Sequence, residues 1–391
     1  MSTSGPDQLG KLGKLKKLAR FTSIYGPQRT AQKALGRLRV KAPRRKVQRD
    51  DLPRVAFIGC GQFAYATLAY FLRDKANITA CMDVDARAAQ TLADALPGCR
   101  VETSAAAIFA DPRIATVFVA SNHASHADYA VAAVRAGKDV YVEKPVAVTC
   151  AQLAQLSAAA RSSSQHVWAG YNRPFSGAVR ELKKAIAQPS GPLTLSCFVS
   201  GHVLPEEHWY RRPEEGTRIC GNVGHWLDLA VHLLGWRGLP DRWRVSLLWS
   251  NPAQRDEDLA INLASDAGDL VNIVLTARTE PFEGIHEGIN LQWGDTIAAI
   301  DDFRRLTIWQ RDKLRHRRYW PKDVGHKGAI AQALGQATRA WQEVEDSTLL
   351  MLHVTEMVKT ATAMTDFSFA QARAALTAAP AGSGHGGRAR P

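Results

Sequence analysis

RVAFIGCGQFA, residues 54–64, decides the fold: the apolar run Val55–Ile58 leads into Gly59, with Gly61 two residues on and Ala64 three beyond that. This is the GxGxxG/A spacing of a dinucleotide-binding turn between a strand and a helix. Gly59 permits the tight turn, Gly61 lets the backbone approach a pyrophosphate, and Ala64 allows close helix–strand packing at a helix N-terminus that favours negative charge. The next apolar run, ITACMDVD, places Asp83 22 residues beyond Gly61. An acid there accepts the adenosine ribose hydroxyls and repels a 2′-phosphate, which favours NAD(H) over NADP(H), with Arg87 as the counter-signal.

Outward from this stretch, β-rich runs at 54–59, 77–83, 115–121, 138–143 and 166–170 alternate with Ala-rich helical segments at 62–73, 85–95, 124–136 and 149–162. The rhythm implies right-handed βαβ crossovers and a parallel sheet covered on both faces. After residue 175 the pattern changes to a helix at 178–187, strands, a helix at 223–235, strands between 243 and 309, and late helices at 327–342 and 346–365. The fold expected is α/β plus α+β: a Rossmann domain over 51–174, then an α+β domain over 175–370 with an open, mainly antiparallel sheet. Residues 1–50 read as a basic extension and 371–391 as a disordered tail.

The chain has 391 residues, 46% hydrophobic and 22% charged, enough for two ordinary cores. Its six cysteines stand singly, without a CxxC pair, which excludes a zinc ribbon or disulfide framework and fits a reducing cytoplasm. No apolar run reaches the roughly 18 residues of a membrane span. Of the net charge of +13, residues 1–50 carry +12, from fourteen Lys/Arg against Asp7 and Asp50. The body is therefore nearly neutral, which argues against a specific nucleic-acid partner. The extension holds two short helical candidates. In the first, Leu9, Leu12, Leu15, Leu18 and Phe21 make a spiralling stripe; in the second, Ala31, Ala34, Leu35 and Leu38 share one face. Docking on the body, docking on a partner, peripheral attachment to anionic lipid and disorder all remain open for it.

At the end of the run 138–143 stands Glu143-Lys144-Pro145, preceded by Ser125-His126-Ala127 and Ala136-Gly137-Lys138. With these motifs the chain resembles the Gfo/Idh/MocA oxidoreductases over roughly residues 54–360. Lys144, at the carboxyl end of a parallel strand, faces a cofactor crevice and is suited to orient a nicotinamide and polarise a hydroxyl or carbonyl. The cofactor site expected comprises Gly59, Gly61, Gln62, Phe63, Asp83, Ser121, Asn122, His126, Glu143 and Lys144. For His123 and His126, packing beside the cofactor loop outweighs catalysis.

The stretch GTRICGNVGHWLDLAVHLLG, residues 216–235, supplies the acid–base candidate His225, since a neutral imidazole suits transfer of a hydroxyl proton as hydride leaves carbon. The resemblance implies Lys144 and His225 as a catalytic pair, with Asp228 and Gly235 at the family's spacing. Many members carry Asp four residues before the histidine; this chain has Gly221 there, with Asn222 next. His225, Asp228 and His232 share a helical face, yet hydride transfer needs no metal and none is expected. Tyr171, Arg173, Asn222, Arg218 and Asp228 complete the substrate-binding set, an interdomain salt bridge being the alternative for Arg173.

The segments AGYNRPFS, GTRICGNVGHWLDL, IDDFRRLTIW and VGHKG resemble the branch found with bacterial surface-polysaccharide and lipopolysaccharide biosynthesis. The resemblance implies a sugar or nucleotide-sugar substrate, with Arg211, Arg212 and Arg218 available for phosphates, and a homodimer or homotetramer formed through the second sheet. A dehydrogenase of a free cyclic polyol such as inositol is the alternative; so is an NAD-binding regulatory or scaffolding protein without turnover, because of Gly221.

Overall fold

In the computed structural model the described residues are 11–39, 48–279, 284–336 and 338–378, and they carry two sheets. The first contains β1 (Arg54–Ile58), β2 (Asn77–Met82), β3 (Arg100–Val101), β4 (Thr116–Val119), β5 (Asp139–Val142) and β6 (Val167–Ala169), all parallel, in the order β3-β2-β1-β4-β5-β6. Helices cover both faces, so Val55–Ile58 and Val117–Val119 are apolar throughout and at most 1% exposed. The strand order reverses between β1 and β4, which opens a crevice at their carboxyl ends. Gly59 follows β1, Ser121 and Asn122 follow β4, and Glu143 and Lys144 follow β5, so all reach that crevice.

The second sheet has nine strands: β7 (Leu193–Ser200), β8 (Arg242–Trp249), β9 (Leu259–Ser265), β10 (Leu270–Thr276), β11 (His286–Trp293), β12 (Thr296–Asp301), β13 (Arg305–Gln310), β14 (Lys313–Arg318) and β15 (Met364–Ser368). Their order is β14-β13-β12-β11-β7-β10-β9-β8-β15, antiparallel except for β7 with β10. Along β7, Leu193, Leu195, Cys197 and Val199 point inward while Phe198 is exposed on the other face, the alternation of a one-sided sheet. Helix Gly224–Gly235 lies against β7, and helix Trp341–Lys359 packs on it and reaches β6. One continuous apolar core thus runs from Ala56 in the first sheet to Leu376.

Three expectations about elements change. The helix over 327–342 stops early: His326–Ala331 and one further turn end at Gly335, with φ +74°, and the next helix starts at Trp341. That helix ends at Lys359 and not at 365, because Met364–Ser368 pairs with β8 and buries Phe367. The tail expected from 371 is helical up to Ala378, since Phe369–Ala378 buries Phe369 and Leu376. Residues 379–391 of that expectation lie outside the described residues.

Of the readings open for the basic extension, docking on the body is the one the described residues take. Helices α1 (Lys11–Tyr25) and α2 (Pro27–Leu38) dock on the body. Ile24 is 2% exposed, and its carbonyl accepts from the Lys322 amide at 2.9 Å, as the Ser23 carbonyl does from Trp320 Nε1. From α2 and the residue after it, Gln32 Nε2 donates to the Tyr65 carbonyl at 3.0 Å and an Arg39 guanidinium nitrogen donates to the Cys60 carbonyl at 2.9 Å. The pair therefore brackets the glycine loop and the segment 320–322, which belongs to the second domain. Leu9 and residues 40–47 lie outside the described residues.

Candidate active site

At Gly59 φ is +94° and a Cβ would stand 2.3 Å from the Ala120 carbonyl oxygen, so only glycine fits where β1 passes the end of β4. At Gly61 an added Cβ meets nothing within 4 Å, leaving open space above the turn of the kind a pyrophosphate needs. Ala64 is fully buried against the sheet. The Cys60 amide donates to Asp83 Oδ2 at 2.6 Å, and the Asp85 amide donates to Oδ1 at 2.9 Å. Each carboxylate oxygen keeps a further lone pair for a ribose hydroxyl. These residues fit a dinucleotide. Gln62, expected to face one, donates instead to the Lys33 carbonyl of α2 at 3.2 Å, while Phe63 turns its ring toward that of His326 at 5.6 Å.

The loop after β4 is held by a residue that sequence reasoning missed. Glu215, 2% exposed, accepts from Asn122 Nδ2 at 2.7 Å and from the Ala124 amide at 3.0 Å, and its carbonyl meets His123 Nδ1 at 3.1 Å. The side chain of Asn122 is thereby committed within the protein. Ser121 Oγ lies 2.7 Å from Ser125 Oγ. His126 is also occupied: Nδ1 lies 2.8 Å from the Pro145 carbonyl and Nε2 3.1 Å from that of Ser121, so the ring joins two loops and is not free for a ligand. Burial pulls its pKa down to about 4.

Glu143 is buried under the crevice, where it accepts from Tyr141 Oη at 3.1 Å and from the Lys144 amide at 3.3 Å. A Cβ at residue 170 would stand 2.7 Å from its carboxyl group, hence Gly170. Burial pushes the Glu143 pKa up to about 7, against the pull of Lys144. Lys144 Nζ crosses to the second domain and donates to the Gly221 carbonyl at 2.8 Å.

Gly221 itself is explained by its neighbours. A Cβ there would stand 2.7 Å from the Tyr210 ring and 3.2 Å from His123 Cε1. The volume an aspartate would need is filled by aromatic side chains, and the Tyr210 ring lies 5.9 Å from Lys144 Nζ. Next to Gly221, Asn222 Oδ1 and His225 Nδ1 are both buried without a hydrogen-bond partner. Tyr171 backs His225 edge-on at 6.3 Å, while its hydroxyl points to Met351 Sδ. Burial, then Arg173, Lys144 and His326, hold the His225 pKa well below that of free histidine, so the imidazole is neutral.

Three residues expected at the substrate are spent elsewhere. Arg173 forms a forked pair with Glu287 at 3.1 and 2.9 Å, both side chains buried, and Trp226 Nε1 donates to the same carboxylate at 2.9 Å. Asp228 takes both guanidinium nitrogens of Arg339 at 3.0 Å and is 1% exposed. Arg218, 2% exposed, binds Glu257 and the His202 carbonyl. Each is a desolvated charge that must be paired, and each partner is remote in sequence. His232, on the helical face weighed for a metal, lies 2.6 Å from Glu343.

Comparison with known proteins accords with this geometry. Residues 53–171 match the family described as an oxidoreductase family with an NAD-binding Rossmann fold. Inositol 2-dehydrogenase of Pseudomonas syringae pv. syringae is 35% identical over 127 residues, 31% of this chain and 37% of that protein. Alignments with this and two further curated relatives span 37%, 42% and 64% of those proteins' own length. Among solved structures, GenD2 from gentamicin A biosynthesis, in complex with NAD, has a TM-score of 0.68 at 17% identity, covering 84% of this chain and all of that one. Levoglucosan dehydrogenase, in complex with NADH and levoglucosan, has a TM-score of 0.67 at 17% identity over 82% of this chain and all of that one. The two structures share the whole two-domain fold, and the matched sequence covers the glycine turn and Glu143-Lys144-Pro145. Residues 53–171 therefore carry the NAD-binding Rossmann domain of the Gfo/Idh/MocA oxidoreductase family.

Proposed function

We propose that the protein is an NAD(H)-dependent dehydrogenase or reductase acting on a CH–OH group of a sugar or polyol, with Lys144 and His225 as its catalytic pair. The observation that carries this reading is the bond from Lys144 Nζ to the Gly221 carbonyl, which brings the strand-end lysine to the segment holding His225 and its unpartnered Nδ1. A nicotinamide bound here supplies the hydride acceptor or donor. The neutral His225 imidazole takes the hydroxyl proton, and the Lys144 ammonium donates to the same oxygen as negative charge develops on it. Asn222 Oδ1 accepts from a substrate hydroxyl. Asp83 at the end of β2 supports NAD over NADP. Within the sugar class, Arg218 and Arg211 are committed to Glu257, which leaves Arg212 alone for a phosphate and favours a free sugar or polyol over a nucleotide-activated one.

The test is NAD-linked turnover with myo-inositol, hexoses and UDP-hexoses. Lys144→Ala and His225→Ala are each expected to lower turnover about 10³-fold while NADH affinity stays within a few-fold. Full activity of His225→Ala would sink the mechanism, and absent NADH binding would sink the redox reading.

The register of the second sheet puts Phe198, Leu248, Leu270, Ile297 and Trp309 on one outer face, each at least 42% exposed. We infer a homodimer or homotetramer through this face. Phe198→Glu with Trp309→Glu should yield a monomer by light scattering, and an unchanged mass would refute the interface. Six unpaired cysteines accord with the cytoplasm. Leu15 and Leu18, 63% and 48% exposed beside Lys16 on α1, are the surface proposed for peripheral contact with anionic lipid. Equal sedimentation of wild type and Leu15→Glu with phosphatidylserine vesicles would end that idea.

A further inference from the structure

We propose that His326 is a substrate-positioning residue that binds a second hydroxyl beside the one handled by His225, so that the site selects polyhydroxylated substrates over monohydric alcohols. The inference rests on the dehydrogenase reading above and assigns a part to a residue of the VGHKG segment that the catalytic pair leaves unused.

The placement of His326 is built, not incidental. It opens the helix His326–Ala331 directly after Gly325, whose φ is +95° and where a Cβ would stand 1.9 Å from the Asn172 carbonyl oxygen. Asn172 Nδ2 donates to the Val324 carbonyl at 2.6 Å, and the two Asp323 carboxylate oxygens accept from the amides of Gly325 and Gly177 at 3.0 and 2.9 Å. The loop is thereby pinned to the domain junction, and the imidazole faces Phe63 of the glycine loop.

Among the described residues, five buried side-chain polar atoms lack a hydrogen-bond partner, and Asn222 Oδ1, His225 Nδ1 and His326 Nδ1 are three of them. Leaving such atoms unpaired is costly, and His225 and His326, which lie within electrostatic reach of each other, are suited to share a ligand. The two histidines share their electrostatic surroundings. Arg173 and Lys144 act on both, Arg29 of α2 and Lys322 act on His326 in addition, and each of these cations, after burial, favours the neutral ring. A neutral imidazole offers one donor and one acceptor, which suits a hydroxyl and not an anion. A substrate with a single hydroxyl engages His225 and leaves His326 Nδ1 buried and unpaired, the arrangement by which polar sites reject analogues.

The test follows ethoxyformylation of His225 and His326 by diethyl pyrocarbonate in the NADH-loaded full-length protein, mapped by peptide mass, with myo-inositol, UDP-glucose or cyclohexanol present. We expect myo-inositol or UDP-glucose to slow modification of both histidines at least fivefold, and cyclohexanol to leave His326 unprotected. For the protecting probe, His326→Gln should raise KM at least tenfold with kcat within threefold and NADH affinity unchanged. Protection of His225 while His326 reacts at its free rate would overturn this inference and leave the proposed function standing. Protection of neither by any probe, with NADH bound, would overturn the sugar or polyol reading and this inference with it.

Discussion

Gly59 and Gly221 both keep a side chain out of the site, yet for different reasons. Gly59 is demanded by backbone: its φ of +94° and the carbonyl of Ala120 2.3 Å from its absent Cβ follow from running two parallel strands into one turn. Gly221 is demanded by side chains, the rings of Tyr210 and His123, which come from separate loops. A backbone demand recurs wherever the turn recurs, so it has a sequence signature. A side-chain demand exists only once the chain is folded, and here it fills the space beside Gly221 with aromatic volume around Lys144.

The contrast can be broken experimentally. Gly59→Ala should be the most damaging change, since backbone cannot yield: we expect a loss of roughly 4 kcal/mol in stability and more than a hundredfold in NADH affinity, read by denaturant unfolding and fluorescence titration. Next comes Glu143, which lies between the two regions under Lys144. Its pKa is raised to about 7 from 4.5, so its stabilising contribution is complete below about pH 4.5 and is lost as pH rises through about 7. Wild type should therefore lose about 3 kcal/mol relative to Glu143→Gln between pH 4.5 and 8, followed by unfolding at each pH, and parallel profiles would contradict the assignment. The smallest effect is expected at Gly221, where side chains can shift. Gly221→Asp should cost about 2 kcal/mol, and adding Tyr210→Ala should recover most of it. Without that recovery, Tyr210 is not what excludes the aspartate.

Legibility along the chain follows the same division. The β1 turn, Asp83, the alternating elements of the Rossmann domain and the placement of Lys144 at a strand end were readable, because periodicity and glycine spacing encode them locally. Arg173, Asp228 and Arg218 carried the right residue types for substrate contacts, but Glu287, Arg339 and Glu257 claim them. The basic extension looked like an appendage because its first stripe spirals. Its docking rests on backbone carbonyls of Ser23, Ile24 and Lys33, and on Arg39 reaching the glycine loop, none of which leaves a pattern. The late helices failed at their ends, where Gly335 and the pairing of Met364–Ser368 with β8 override helical periodicity.

By itself the sequence determined that a dinucleotide turn lies at Gly59–Ala64, that an acid follows at Asp83, and that a parallel sheet precedes a mainly antiparallel one. Those features depend on the conformation of neighbouring residues. Only the tertiary structure decided which charges are paired within the protein and which polar atoms are left for a ligand, because every such pairing joins segments far apart in the chain. Asn222, His225 and His326 are therefore distinguished from Arg173 and Asp228 by their partners in space and not by residue type.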